Sequence, residues 1–135
     1  MSRRRTRKGL DEMHQANAIV LMTLDRLKDA IEPGITTREL DRIAESSITG
    51  EGALPAFKGY RGFPATLCVS VNEEVVHGIP SDKTLAEGDL VSLDLGAIVD
   101  GYYGDNATTV GVGSITPEHE KLLRVTEQSM FKGIE

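Results

Sequence analysis

Asp94 and Asp105 stand in the segment SLDLGAIVDGYYGDNATTVGV, from Ser92 to Val112, among residues that otherwise read as core. Asp94 interrupts an apolar run of Leu90, Val91, Leu93 and Leu95. A charge there is costly unless something compensates it. Two carboxylates within reach of each other cannot both stay ionised unaided. They could share one proton as a dyad, or hold a hard or borderline divalent cation. They could also be unrelated acids on a solvated hairpin face, since exposed aspartate is common.

The pair must be placed by a hairpin. Asp100-Gly101 suits a two-residue type I′ turn. Centring the turn there pairs Val99 with Tyr102, Gly96 with Asp105 and Asp94 with Ala107. Alternation then puts Asp94 and Asp105 on one face as diagonal neighbours, roughly 7–8 Å apart. Gly96, opposite Asp105, is expected to leave the space between them open. The opposite face carries Leu93, Leu95, Val99, Tyr102 and Val110 and reads as the core side. A bulge would shift this register.

The elements around the hairpin follow from periodicity. Leu10, Met13, Ala16, Val20, Leu24, Leu27 and Ile31 recur at helical steps, and Glu32-Pro33-Gly34 ends that helix. Thr36 to Glu39 has capping-box spacing and opens a second helix, which stops at Gly50 and Gly52. ALPAFKGYRGFPA is a loop holding Phe57, Tyr60 and Phe63, which either form a wall or pack over their own core. TLCVSV reads as a strand, Asn72-Glu73-Glu74 as a turn, and VVHGIP as a second strand. SDKTLAEGD is irregular. Thr116-Pro117 then opens a last helix whose face is Leu122, Leu123, Thr126, Met130 and Ile134, with no stop signal before Glu135. His14 and His119 are assigned to solvated helix faces. The order predicts an α+β fold, an antiparallel sheet with helices packed on one face.

A chain of 135 residues is read as one domain, able to bury roughly two-thirds of its unfolded surface. No apolar run approaches the ~20 residues a membrane span requires, and no signal peptide is visible. The single cysteine, Cys68, fits a reducing, cytoplasmic setting and reads first as a small buried thiol. Net charge is −6, but Arg3, Arg4, Arg5, Arg7 and Lys8 all precede the first acid, Asp11. Removing these five of 15 leaves ten basic against 21 acidic residues, a net of −11. The acidic body argues against a dedicated nucleic-acid binder. Residues 1–9 are expected to form a basic flexible tip, either a solubilising tail or a contact for a phosphate-rich surface such as the ribosome. Residues 10–135 form the domain. No glycine-rich phosphate loop, HExxH helix or CxxC pair is present.

GYRGFPATLCVSVNEEVVHGIP followed by SLDLGAIVDGYYGDNATTVGVG resembles type I methionine aminopeptidases. The resemblance spans nearly the whole chain. It implies the pita-bread α+β fold, of which this sequence resembles the N-terminal half, and a site for two divalent metals, with Co, Mn, Fe and Zn not distinguished. Asp94 and Asp105 match metal ligands. His77 matches a non-ligand residue that hydrogen-bonds beside the scissile peptide. Phe57, Tyr60, Phe63 and Cys68 match the methionine side-chain pocket. The implied reaction is removal of the initiator methionine from nascent chains by metal-activated water. Tyr103 departs from the family, in which many members carry histidine at that position. The resemblance also implies a longer chain whose second half adds a histidine and two glutamates, so these 135 residues alone are expected to be weakly active or inactive. The alternative is a non-catalytic half-fold that binds a partner, self-associates or meets a complementary half.

Overall fold

A computed structural model describes residues 6–135. The first helix, α1 (Arg7–Ala30), starts earlier than its apolar periodicity suggests, because the Thr6 hydroxyl caps it by accepting from the Gly9 N–H at 3.1 Å. Gly9 is buried against the Tyr102 ring, and a Cβ there would come within 2.9 Å of a ring carbon. Residues 7–9 lie in the first turn of this helix, and residues 1–5 of the expected tip, with Arg3 to Arg5, lie outside the described residues. The buried stripe of α1 runs through Ala16, Ile19, Val20, Leu24 and Leu27. Leu10, one turn from the start, is exposed.

Helix α2 (Thr37–Gly50) opens with the expected capping box: Thr36 Oγ1 accepts from the Glu39 N–H, and Glu39 Oε2 accepts from the Thr36 N–H at 2.8 Å. The loop after it contains a two-residue strand, β1 (Leu54–Pro55), and a single 3-10 turn, Tyr60–Gly62. Strands β2 (Leu67–Val71), β3 (Leu90–Val99) and β4 (Tyr102–Gly111) follow, then α3 (Pro117–Ile134). All pairings are antiparallel. One edge of β3 takes β4 along its whole length; the other takes β2 and then, further along, β1.

The core lies between the sheet and the first two helices. Val91, Leu93, Leu95 and Ala97 of β3 are fully buried with Leu24, Leu27, Leu40 and Ile48 of the helices. Val99 packs at the margin of this cluster. Gly104 permits the close approach of α1, because a Cβ there would overlap the backbone of Ala16 and Asn17. The α+β arrangement with helices on one sheet face is the one the sequence predicts.

Two local expectations need correction. VVHGIP is not a strand: Val75 and Val76 are exposed and His77 has φ of +59°, which breaks an extended run. The uncovered apolar face of α3 is no such departure: no residue of that helix is buried. His119 is half-buried rather than solvated, with a buried Nδ1 that has no hydrogen-bond partner among the described residues. No helix among the described residues is long and apolar enough to cross a membrane.

Candidate functional site

The hairpin that carries the two aspartates closes through Asp100 (φ +47°) and Gly101 (φ +80°), the pair of positive angles a type I′ turn requires. Its register is unbroken from Val99↔Tyr102 to Leu90↔Gly111, with no bulge. Gly96 therefore faces Asp105 and Asp94 faces Ala107, and both carboxylates leave the sheet on the face away from the helices. Asp94 is half-buried and Asp105 exposed.

Burial raises the Asp94 carboxyl above its ordinary value, the Asp105 charge raises it further, and His77 draws it partly back. On the other side of β3, Cys68 is the direct partner of Asp94. Its thiol is buried and pushed up to about 11, first by desolvation and then by the two aspartates. At neutral pH it is a neutral, weakly polar surface.

The space directly over Gly96 is not open, as its lack of a side chain suggested. A Cβ there would stand 3.0 Å from both Ala56 Cβ and Phe57 Cε1. The loop after β1 folds over the sheet and puts the Phe57 ring on the aspartate face, held by the Ala56 N–H donating to the Gly96 carbonyl at 2.9 Å. Phe57 and Cys68 therefore flank the acidic pair. Phe63 is half-buried and joined to Tyr60 through the 3-10 turn, its N–H donating to the Tyr60 carbonyl at 3.0 Å. The Tyr60 ring is exposed, with the Arg61 guanidinium 5.4 Å from its centroid.

Three supporting residues carry no local sequence signal. Asn17 Oδ1 on α1 accepts from the Asp105 N–H at 3.3 Å, fixing β4 where its carboxylate projects. Asp41 on α2 accepts from the N–H groups of Thr66 and Leu67, both at 2.9 Å, and so anchors the start of β2. Ser70 of β2 accepts from the Gly78 N–H beside His77 at 3.1 Å.

The donor chemistry suits a divalent cation in kind, because two converging carboxylates repel one another and a cation relieves that repulsion. It falls short in number. Among the described residues no group of three or more His, Cys, Asp or Glu side chains could hold a metal ion. Sites for transition metals use about four protein or solvent ligands, so Asp94 and Asp105 make part of a donor set.

Comparison with known proteins gives a consistent result. Residues 11–135 match the Peptidase M24 family, described as metallopeptidase family M24. The chain is 51% identical over 131 residues to methionine aminopeptidase 1 of Bacillus subtilis, covering 97% of this chain and 53% of that protein. It is 55% identical over 126 residues to methionine aminopeptidase of Clostridium perfringens, covering 93% and 51% respectively. The crystal structure of methionine aminopeptidase from Rickettsia prowazekii superposes with a TM-score of 0.96 at 39% identity, over all of this chain and 54% of that one. The chain thus spans about half the length of the curated relatives it matches.

Proposed function

The chain belongs to metallopeptidase family M24, and from that premise we propose that it carries part of the active site of a methionine aminopeptidase, a cytoplasmic enzyme removing N-terminal methionine from nascent polypeptides. The observation that supports this reading best is the hairpin register, which sets Asp94 and Asp105 diagonally on the one sheet face that the helices leave free. A solvated pair of unrelated acids accounts less well for a carboxylate that is half-buried, opposed by a like charge and lined by Cys68 and Phe57.

In this reading Asp94 and Asp105 hold divalent metal, and the remaining ligands come from outside the described residues. When bound, such metal supplies Lewis-acid chemistry and lowers the pKa of water. The chain's own residues supply position and selectivity. His77 hydrogen-bonds the substrate beside the scissile peptide. Phe57, Tyr60, Phe63 and Cys68 form one wall for an unbranched thioether, which is polarizable and favours aromatic edges. A thiol held neutral suits that wall better than a thiolate would.

Two partner assignments accompany the reading. Leu122, Met130, Phe131 and Ile134 of α3 are exposed and suit cover by a complementary half or, failing that, a second copy of the chain. The basic N-terminus, of which Arg7 and Lys8 lie in the first turn of α1, suits a salt-sensitive contact with the ribosome.

The test is hydrolysis of a methionyl-alanyl peptide by the full-length protein with added cobalt or manganese. Asp94→Ala and Asp105→Ala should each bring turnover to near background, and turnover indifferent to both would refute the assignment. The 135-residue chain alone should show little or no turnover. Robust turnover by a monomer of it, abolished by Asp94→Ala, would show that half the donor set suffices.

A further inference from the structure

Ser70 is 4% exposed on a strand whose neighbours Val69 and Val71 belong to the core. A hydroxyl buried there needs a partner. It has one in the Gly78 N–H, which donates to Ser70 Oγ at 3.1 Å, while the Gly78 carbonyl accepts from the Val69 N–H at 3.0 Å. Two successive residues of β2 thus hold both polar groups of Gly78. The approach is so close that a Cβ at position 78 would overlap the Val69 carbonyl.

The consequence falls on the preceding residue. The Gly78 N–H lies in the same rigid peptide plane as the His77 carbonyl, so holding it fixes the direction in which the backbone leaves His77. His77 has φ of +59°, a conformation that side-chain-bearing residues seldom adopt and that persists only where the surroundings enforce it. Apolar packing does not enforce it here, since Val75, Val76, His77 and Ile79 are all exposed. The loop is tied to Val71 through Glu74 and to Thr37 through Ser81. Between those ties, the backbone anchors among the described residues are the two at Gly78.

We propose that Ser70 is a positioning residue that acts through the Gly78 N–H to hold His77 in its left-handed conformation alongside β2. The proposal rests on the reading above for its effect on catalysis, though not for the existence of the clamp. Ser70 touches no reacting atom. Its contribution passes through His77, and this separates it from a serine that merely satisfies a buried strand.

The test uses the full-length protein as Ser70→Ala, His77→Ala and the double variant. In metal-free protein, amide exchange at Gly78 should rise roughly five- to tenfold in Ser70→Ala, as expected for one lost hydrogen bond. With metal and a methionyl-alanyl peptide, kcat should fall by a similar, roughly five- to tenfold factor while KM moves little. In the His77→Ala background Ser70→Ala should have no further effect on kcat. Unchanged exchange at Gly78, or an equal loss of kcat in both backgrounds, overturns the proposal. If unsubstituted protein leaves methionyl peptides uncut, the catalytic reading fails, and exchange at Gly78 alone decides whether the clamp exists. Gly78→Ala gives a second variant: it should force the loop off β2 and reproduce the loss of kcat, and full activity in it counts against the clamp.

Discussion

The two faces of the β3–β4 ladder are built from alternate residues of the same strands. On one face Val91, Leu93, Leu95 and Ala97 are fully buried with the helices. On the other, Ser92 meets Thr109, Asp94 meets Ala107 and Gly96 meets Asp105, with Asp105 and Ala107 exposed. A period of two lets one hairpin serve stability with one set of side chains and, in the proposed reading, metal binding with the other. The division also protects the register, because a one-residue slip of β3 would expose its leucines and bury Asp94. Mutations on the two faces should therefore have different consequences.

The largest expected effect is on the helix side. Leu95→Ala removes a fully buried side chain and should cost about 2–5 kcal/mol, read as a shift in urea midpoint. Asp94→Ala in metal-free protein should not destabilise it. If the two substitutions shift the midpoint equally, the faces do not divide the work as described.

Next come the glycines, one toward each face. Gly104→Ala drives a Cβ into the α1 backbone at Ala16 and Asn17, which cannot yield locally, and should cost about 1–3 kcal/mol or more. Gly96→Ala meets Ala56 Cβ and the edge of the Phe57 ring, both at 3.0 Å, and the Gly104 carbonyl at 3.1 Å; these contacts are looser than those at Gly104, and a ring edge can move. The Gly96 variant should lose less stability while displacing Phe57 and raising KM for methionyl peptides. A larger stability loss at Gly96 than at Gly104 would mean that the Phe57 loop is the more rigid neighbour.

Much of this division was legible because its causes are local. The Asp100-Gly101 turn sets the register, and alternation sets the faces. The capping box at Thr36 and Glu39 and the Thr116-Pro117 start are similarly contained within a few residues. What sequence could not give depends on distant partners. VVHGIP has strand composition, yet it meets β2 through Gly78 alone, and β-branched residues without a ladder do not make a strand. The bond from Asp105 to Asn17 spans 88 positions, and the bonds from Thr66 and Leu67 to Asp41 span 25 and 26. No spacing rule connects residues so far apart. Gly96 was correctly placed opposite Asp105, but the ring that fills the space above it comes from another loop.

The smallest expected effect is also the one that best isolates the open face. In chelator-treated protein, burial and Asp105 together raise the Asp94 carboxyl above its ordinary value of 3.8, outweighing the opposing pull of His77. The folded state therefore binds its proton more tightly than the unfolded chain does. Between 3.8 and the raised folded value the native state holds more proton than the unfolded state, so stability falls as pH rises through that window. Below 3.8 both states are protonated and the favourable contribution is complete; above the folded value it is lost and the repulsion from Asp105 is felt in full. Asp94→Asn removes the charge while keeping the shape. It should make the metal-free protein slightly more stable at pH 7, and the gain should shrink as pH is lowered toward 4. Added manganese or cobalt should reverse the order, because a cation held by both carboxylates stabilises only the folded unsubstituted protein. Urea midpoints of the two proteins at pH 7 and pH 4.5, with chelator and with metal, provide the measurement. If the asparagine variant is the less stable of the two in chelator at pH 7, the aspartates are not in electrostatic conflict, and the case for a cation between them loses its physical basis.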